Sequence, residues 1–240
     1  IGKSITVTCG GECAIDARGI DQRSAVIDAT DATLNGFTIP GDETMYAGVI
    51  VTPSCVNVTV QGNSIYGMVM PNPSNDSPLS YGVLAYGNSA ENMPIGLSII
   101  GNSIYGVAGS GISLGSYTYG TTISGNSIFN IIPVSILGQV MSIGVQSEFA
   151  GELVITDNDF SYLALSANLI ASYATMSGNT HFGVSSYLTT TSPSGIDFSD
   201  DVDWWSAQTS IDYLGTSITL ETFASSLDLA LLVADQGSVV

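Results

Sequence analysis

The sequence predicts an all-β chain folded as a right-handed parallel β-helix of about six or more coils. Three observations predict this fold: a degenerate repeat, a second set of short apolar runs between the repeats, and a content of charged residues of only 10% in 240 residues. Short strands cannot bury their apolar side chains alone, whereas coils that stack on one another close a shared core.

Each repeat is a short alternating run that ends in Asn-x-Ile or Asn-x-Phe. Three of the copies, at Asn63, Asn102 and Asn126, share the sequence Gly-Asn-Ser-Ile. Successive asparagines lie 21 to 39 residues apart, as expected for coils with loops of variable length. Asparagine tolerates the left-handed conformation at a bend, and its amide can reach the equivalent amide about 4.8 Å away in the next coil. The residue two positions later should point inward. The asparagines assigned to this structural stack are Asn35, Asn63, Asn102, Asn126, Asn158 and Asn179.

A second set of runs lies between the asparagine repeats. Each run begins with a glycine and continues with alternating apolar residues, so each period holds two or three short strands. The glycines that begin these runs are Gly48, Gly82, Gly111, Gly144 and Gly195.

The Gly-Asn-Ser-Ile-Tyr-Gly copies at Asn63 and Asn102 resemble the repeats of the pectin-lyase-like superfold, particularly its NosD-like and carbohydrate-binding or surface-protein branches. Residues 13–19, followed by 32–39, are similar to the first coils of polymorphic-outer-membrane-protein-like surface proteins. The resemblance covers about residues 3–200 and implies a right-handed parallel β-helix. It implies no single function, because this architecture hosts lyases, hydrolases, adhesins and phage spikes.

The ends of the rod need caps or neighbours, since an open β-helix exposes unpaired backbone groups. We expect the β-helix to occupy residues 1–203 and a cap or assembly segment to occupy 204–240. Apolar residues at helical spacing over 220–234 predict a short capping helix. Leu229, Leu231 and Val233 also alternate, so a strand that pairs with a neighbouring subunit is the alternative.

The charge balance excludes several partners. Lys3, Arg18 and Arg23 are the only cationic side chains, and the net charge is −18. Nucleic acid and anionic membrane surfaces need several Lys or Arg contacts, so neither is an expected partner, and polyanionic sugars are disfavoured. No apolar run is long enough to cross a bilayer, so we expect no membrane insertion.

The cysteines and sequons indicate an extracellular or cell-surface protein. Two glycines separate Cys9 from Glu12-Cys13, which allows a local disulfide between Cys9 and Cys13 and fits an oxidising compartment. Cys55 is then a buried free thiol or belongs to an alternative pairing. Asn57 and Asn75 match the glycosylation sequon.

The most site-like stretch follows the last repeat, where acids and both tryptophans are concentrated. Paired tryptophans beside acids can stack on sugar rings, and aspartates can hold calcium. The competing interpretation is a last-coil cap with buried tryptophans and solvated acids. No other cofactor is expected. The residues concerned are Asp197, Asp200, Asp201, Asp203, Trp204 and Trp205.

Catalysis is not expected, and no catalytic residue is assigned. The resemblance to pectate lyases would imply an arginine or lysine base, yet no cation follows Arg23. His181 follows an Asn repeat and is expected at a turn or on the surface. Glycosidic hydrolysis needs only two carboxylates, for which the candidates are the pairs at 157 and 159 and at 200 and 201.

An ice-binding β-solenoid would present a flat file of threonines at one position in each coil. Thr38, Thr59 and Thr122 do not occupy equivalent positions relative to the asparagines in this interpretation. The sequence therefore argues against ice binding.

The function predicted is that of a non-catalytic structural or adhesive surface protein, a homo-oligomer or polymer such as a filament, sheath or surface-layer subunit. Scarce charge is typical of a surface covered by neighbouring copies, because charged groups are costly to desolvate. Residues 68–75 and 117–119 offer Met and Tyr as contact candidates. The alternative is a β-helix that binds or cleaves carbohydrate, with glycans as partners.

Overall fold

The computed structural model describes residues 5–70, 79–136, 139–191, 196–198, 205–213 and 216–224. Over these residues the chain winds into a parallel β-helix, in which three sheets, A, B and C, run along one axis. The described residues contain no helix, and so none that could cross a membrane.

Sheet A holds the strands that precede the asparagines. They are β1 (Ile5–Thr8), β3 (Ala32–Asn35), β6 (Thr59–Gln61), β9 (Ser98–Ile100), β13 (Thr122–Ser124), β19 (Leu153–Thr156), β22 (Ala174–Ser177) and β25 (Ile196–Phe198). Sheet B holds the strands that follow the asparagines. They are β4 (Thr38–Pro40), β7 (Ser64–Tyr66), β10 (Ser103–Tyr105), β14 (Ser127–Phe129), β20 (Asp159–Ser161) and β23 (Thr180–Phe182).

Sheet C holds the longer strands between repeats. They are β2 (Arg23–Ile27), β5 (Ala47–Val51), β8 (Ser80–Ala85), β11 (Gly109–Leu114), β17 (Ile143–Glu148), β21 (Leu165–Ile170) and β24 (Ser186–Thr191), followed by the antiparallel strands β27 (Thr216–Ala224) and β26 (Trp205–Tyr213). Short pairs lie in loops: β12 (Thr118–Tyr119) with β18 (Ala150–Gly151), and β15 (Val134–Ile136) with β16 (Gln139–Met141).

The core is a set of inward-facing files, one rung per coil. Parallel register places each side chain directly above its equivalent, and most of these side chains are less than 2% exposed. Each buried aliphatic side chain contributes about 1.5 to 3 kcal/mol. A second, smaller cluster consists of Ala47, Ile50 and Leu84. Members of the files in sheets A and B are Val60, Ile99, Ile123, Ile155, Met176, Ile39, Ile65, Ile104, Ile128 and Phe160.

Glycine at the start of the sheet C strands is required by this core. A Cβ on Gly111 would lie 2.7 Å from Ile128 Cγ2 in the next coil, and one on Gly82 would lie 2.5 Å from Ile104 Cγ2. The glycine therefore makes room for the isoleucine of sheet B. The run predicted after Gly195 forms β25 in sheet A rather than a strand of sheet C, and Gly195 itself lies outside the described residues.

The C-terminal strands correct one prediction. Leu220 to Ala224 do not begin a capping helix; they end β27, which pairs antiparallel with β24 and with β26. The open edge of sheet C explains the outcome, since a strand there satisfies backbone groups that a helix would leave unpaired. Residues 225–234 of the predicted helix lie outside the described residues.

Candidate interaction surface

Five asparagines form a continuous ladder between sheets A and B. Asn102 donates from its backbone N–H (2.9 Å) and its Nδ2 (3.0 Å) to Asn126 Oδ1. Asn63, Asn126 and Asn158 repeat this pattern toward the next coil, and Asn179 ends the ladder. All five side chains are at most 7% exposed. Their hydrogen-bonding groups serve the stack, so the ladder is structural.

Asn35 is not a member of this ladder. It pairs with Gln61, two positions before the ladder, and Phe37 occupies the position equivalent to Asn63. The Phe37 backbone N–H donates to Asn63 Oδ1 at 2.9 Å, which ends the ladder on this side. The assignment of Asn35 was wrong because this coil has no asparagine at the ladder position, and Asn35 lies two positions before it.

His181 is also placed differently from its prediction as a turn or surface residue. It lies in register with Phe160, stacks on that ring at 5.6 Å between centroids, and has its Nδ1 2.8 Å from Ser166 Oγ. Burial lowers the pKa of His181 to about 4, against an opposing effect of the Asp159 carboxylate. Ser166 is 0% exposed. His181 itself is only partly buried, so the pair forms a polar rung at the end strand of sheet B.

The disulfide lies in the first coil. Cys9 and Cys13 are joined, with their Cα atoms 5.8 Å apart, whereas Cys55 is a buried free thiol. Asn57 is exposed at a corner with a left-handed φ of 55°, and its Nδ2 donates to Asp31 Oδ1 at 2.9 Å. Asn75 lies outside the described residues.

The predicted acidic and tryptophan stretch is only partly described. Asp197 lies in β25 and Trp205 begins β26. Asp200, Asp201, Asp203 and Trp204 lie outside the described residues. Elsewhere in the described chain, no three His, Cys, Asp or Glu side chains are grouped so that they could hold a metal ion.

The candidate carboxylate pair is split between two places. Asp157 lies at the corner between sheets A and B, and Asp159 lies on the outer face of sheet B. Asp157 has a left-handed φ of 56°. Asp159 accepts hydrogen bonds from Ser161 Oγ (3.2 Å) and Thr180 Oγ1 (3.1 Å). Both hydroxyls hold the Asp159 carboxylate against the sheet, an arrangement typical of a surface hydrogen-bond network.

The outer face of sheet C is poor in reactive groups. One column in register runs from Ile50 and Leu84 to Ser113, Gln146 and Asn168. Hydroxyl and amide groups of this kind bind by hydrogen bonds, but none of them supplies a base or a nucleophile without an activating partner.

Both described arginines are paired with neighbouring aspartates. Arg18 Nη2 lies 2.6 Å from Asp16 Oδ2, and Arg23 Nε lies 3.2 Å from Asp21 Oδ1. Arg18 lowers the pKa of Asp16 to about 2. The two cations are thus locally neutralised.

Aromatic rings on the outer face of sheet B stack on one another. Tyr66 and Tyr105 lie 5.0 Å apart, and Tyr105 and Phe129 lie 4.9 Å apart, with interplanar angles of 12° and 11°. Each ring covers the face of the next, so only the edges and outer ends remain for a ligand. This stack therefore stabilises neighbouring coils.

A second group of aromatic residues is exposed at the corner between sheets C and A. Tyr117 stacks on Phe149 at 5.8 Å, and Tyr119 lies against Gly151. Ile95, one coil earlier, is bridged to Tyr119. The residues of this aromatic corner, with their exposed fractions, are Ile95 (42%), Tyr117 (37%), Tyr119 (40%), Phe149 (52%) and Tyr173 (60%).

Sequence reasoning found part of the aromatic corner. It selected 117–119, of which Tyr117 and Tyr119 are exposed and Thr118 is buried. It missed Phe149, which directly follows β17, and Tyr173, which directly precedes β22. Its other contact candidate begins at Met68, which is fully buried in the core, and residues 71–75 lie outside the described part.

Comparisons with known proteins agree on the fold. No protein family and no curated protein matches the chain. The A-module of mannuronan C-5 epimerase AlgE4 from Azotobacter vinelandii is 15% identical over 82% of this chain and 56% of its own, with a TM-score of 0.50. PfbA, a surface adhesin of Streptococcus pneumoniae, is 13% identical over 83% of this chain and 45% of its own, with a TM-score of 0.53.

The chain spans about half the length of these solved structures. At such low identity the likeness shows the fold alone, a right-handed parallel β-helix, as the repeats predicted. The two neighbours carry different functions in their names, one an epimerase and one an adhesin. Function must therefore be argued from the surface of this chain.

Proposed function

We propose that this chain is a non-catalytic structural or adhesive protein of the cell surface or extracellular space, and that it associates with further copies of itself through the aromatic corner. The observation that carries the proposal is the run of exposed rings over successive coils of a rigid rod. Large rigid side chains supply contact area at low entropic cost, as in protein interfaces. The disulfide in the first coil supports an oxidising compartment.

The net charge sets the conditions for this association. Copies that each carry −18 repel one another, and Glu148 and Glu152 lie beside the aromatic corner. Salt screens such repulsion over about 8 Å at physiological ionic strength. We therefore expect association to increase with ionic strength, the opposite of an interface that depends on ion pairs.

The test is light scattering and negative-stain electron microscopy at micromolar concentration, in low and physiological salt. The double variant Tyr119→Ser and Phe149→Ser should remain monomeric where the unmodified chain forms larger species. Tyr162→Ser with Phe182→Ser is the matched control, since those exposed rings also contact each other, at 5.3 Å, away from the corner. A monomer at both salt concentrations, or equal loss in both double variants, would refute the proposal.

A second candidate function, binding or cleavage of neutral carbohydrate, is favoured by the exposure of the Phe149 and Tyr173 side chains, since sugars stack on aromatic rings. A glycan array together with a reducing-end assay on neutral polysaccharides tests it. No array signal and no new reducing ends would remove this candidate.

A further inference from the structure

The outer face of sheet A carries two parallel files of uncharged side chains, which we call the threonine face. Strand register aligns each residue with its equivalent in the next coil. The first file is Thr6, Thr33, Thr59, Ser98, Thr122, Val154 and Thr175. The second file is Thr8, Asn35, Gln61, Ile100, Ser124, Thr156 and Ser177.

This register overturns the sequence argument against a threonine file. Thr59 and Thr122 occupy equivalent positions, one coil on either side of Ser98. Thr38 belongs to sheet B and has no bearing on the file. Thr38 lies in a different sheet from Thr59 and Thr122, so its position relative to the asparagines differs from theirs.

The chemistry of the threonine face selects a neutral ligand. From Thr6 to Thr175 and from Thr8 to Ser177 neither file contains a charged residue, and the first file meets one only in the last strand of sheet A, where Thr175 is in register with Asp197. A cationic or anionic partner therefore finds no counter-charge on this face. Hydroxyl groups that both donate and accept, set beside methyl groups, suit contact with ordered water.

The geometry of the face is a regular grid. Neighbouring strands lie about 4.8 Å apart, and residues of the two files lie two positions apart on each parallel strand, about 6.6 Å. The water molecules on a face of ice also form a regular lattice that repeats every few ångströms. A grid that repeats over many rungs can match such a lattice at several points at once.

The face is also held rigid from beneath. Val60 and Ile123, between the two files, are 0% exposed in the core, and the asparagine ladder fixes the bend that follows. Threonine has few χ1 rotamers. Little conformational freedom is then lost on binding, which is the condition for contact with a solid surface.

We propose that the threonine face binds ice. This inference is independent of the proposed self-association, because the aromatic corner lies beside the face and contributes no residue to either file. Loss of ice binding and loss of association are therefore separable in variants of the two surfaces.

The test measures thermal hysteresis and the fraction of protein captured by slowly growing polycrystalline ice. Thr59→Tyr and Thr122→Tyr place a large ring in the middle of the face, and tyrosine is well tolerated in strands. Ser64→Tyr and Ser127→Tyr are matched controls, since they lie in the same coils on the outer face of sheet B. Thermal unfolding verifies that each variant is folded. Thr59→Lys replaces a sheet A variant that is not folded, and Ser64→Lys replaces a sheet B variant that is not folded.

The unmodified chain and both sheet B variants should enter ice and produce hysteresis, whereas the sheet A variants should lose most of both. Exclusion of the unmodified chain from ice would overturn the proposal. Equal loss in the sheet A and sheet B variants would overturn it as well, because the effect would then not belong to this face. Binding to crystalline neutral polysaccharide without capture by ice would assign the face to a different solid.

Discussion

Replacement of Asn126 by leucine tests the ladder at its centre. Asn126 Oδ1 accepts from the backbone N–H (2.9 Å) and Nδ2 (3.0 Å) of Asn102. Its Nδ2 donates to Ile99 O (2.8 Å), Ser124 O (3.2 Å) and Asn158 Oδ1 (2.9 Å). Leucine has a similar volume but makes none of these bonds. The five lost bonds cost about 5 kcal/mol at about 1 kcal/mol each, and the Asn102 N–H left buried without its acceptor costs about 1 to 3 kcal/mol more. Burial of the leucine side chain offsets about 1.5 to 3 kcal/mol, so the net loss is about 3 to 6 kcal/mol.

Such a loss is a large part of the 5 to 15 kcal/mol typical of a whole domain. Urea unfolding should show a lower midpoint with an unchanged slope, because the folded surface is the same. Asn168→Ala is the control, since this asparagine lies on the outer face of sheet C and should cost less than about 0.5 kcal/mol. If Asn126→Leu costs no more than Asn168→Ala, the ladder does not stabilise the fold as argued.

Three further perturbations address other parts of the rod. Gly111→Ala should lower the free energy of unfolding by about 1 to 3 kcal/mol, because the new Cβ would lie 2.7 Å from Ile128 Cγ2. A double-mutant cycle with Ile128→Ala should show favourable coupling, and additive effects would contradict this contact. The pKa of His181 is lowered from 6.5 to about 4, so between these pH values the unfolded chain binds more protons than the folded chain. The free energy of unfolding should therefore fall by about 1 to 2 kcal/mol as the pH drops from 6.5 to 4, a value that is discounted because His181 is partly exposed. His181→Phe should remove that part of the pH dependence measured by urea unfolding, and an unchanged pH profile would refute the assignment. Replacing Cys9 and Cys13 by serine should lower stability by about 2 kcal/mol in the same assay, and no change would mean that the short loop is ordered without the bond.

The fold was predictable because the same short sequence pattern recurs from coil to coil and specifies the same local structure each time. Gly-Asn-Ser-Ile fixes a bend, a buried amide and an inward isoleucine at one spacing, as at Asn102 and Asn126. The errors arose in coils whose sequence departs from this pattern. In the second coil Phe37 stands at the ladder position and Asn35 lies nearby, so a search for asparagine selected the wrong residue. Alignment on the inward Ile39 would have found the register.

His181 illustrates the same point. The rule that the residue two positions after the ladder asparagine points inward applies to Asn179 and predicts an inward histidine. The polar character of the side chain outweighed this rule in the sequence interpretation. The structure accommodates the histidine because Ser166 replaces the glycine of earlier coils and approaches Nδ1 at 2.8 Å. Two substitutions in different strands are correlated there, and a single sequence does not reveal that correlation.

The C-terminal cap and the aromatic corner were harder to predict for a different reason. A run such as 220–224 has apolar residues that fit either period, and only the unpaired edge of β24 decides for a strand. Likewise, the exposure of Phe149 depends on coils that are far away in sequence. Local pattern determines the rungs, whereas their surroundings determine what remains on the surface.

The direction of the backbone hydrogen bonds has a mechanical consequence. In all three sheets these bonds run along the rod, from each coil to the next. Tension applied between the two ends therefore loads one rung at a time, as in a zipper, rather than shearing many strands together. Each released coil lengthens the chain by tens of residues while the remaining coils stay folded, so the rod can yield in steps and limit the peak force on whatever it is attached to.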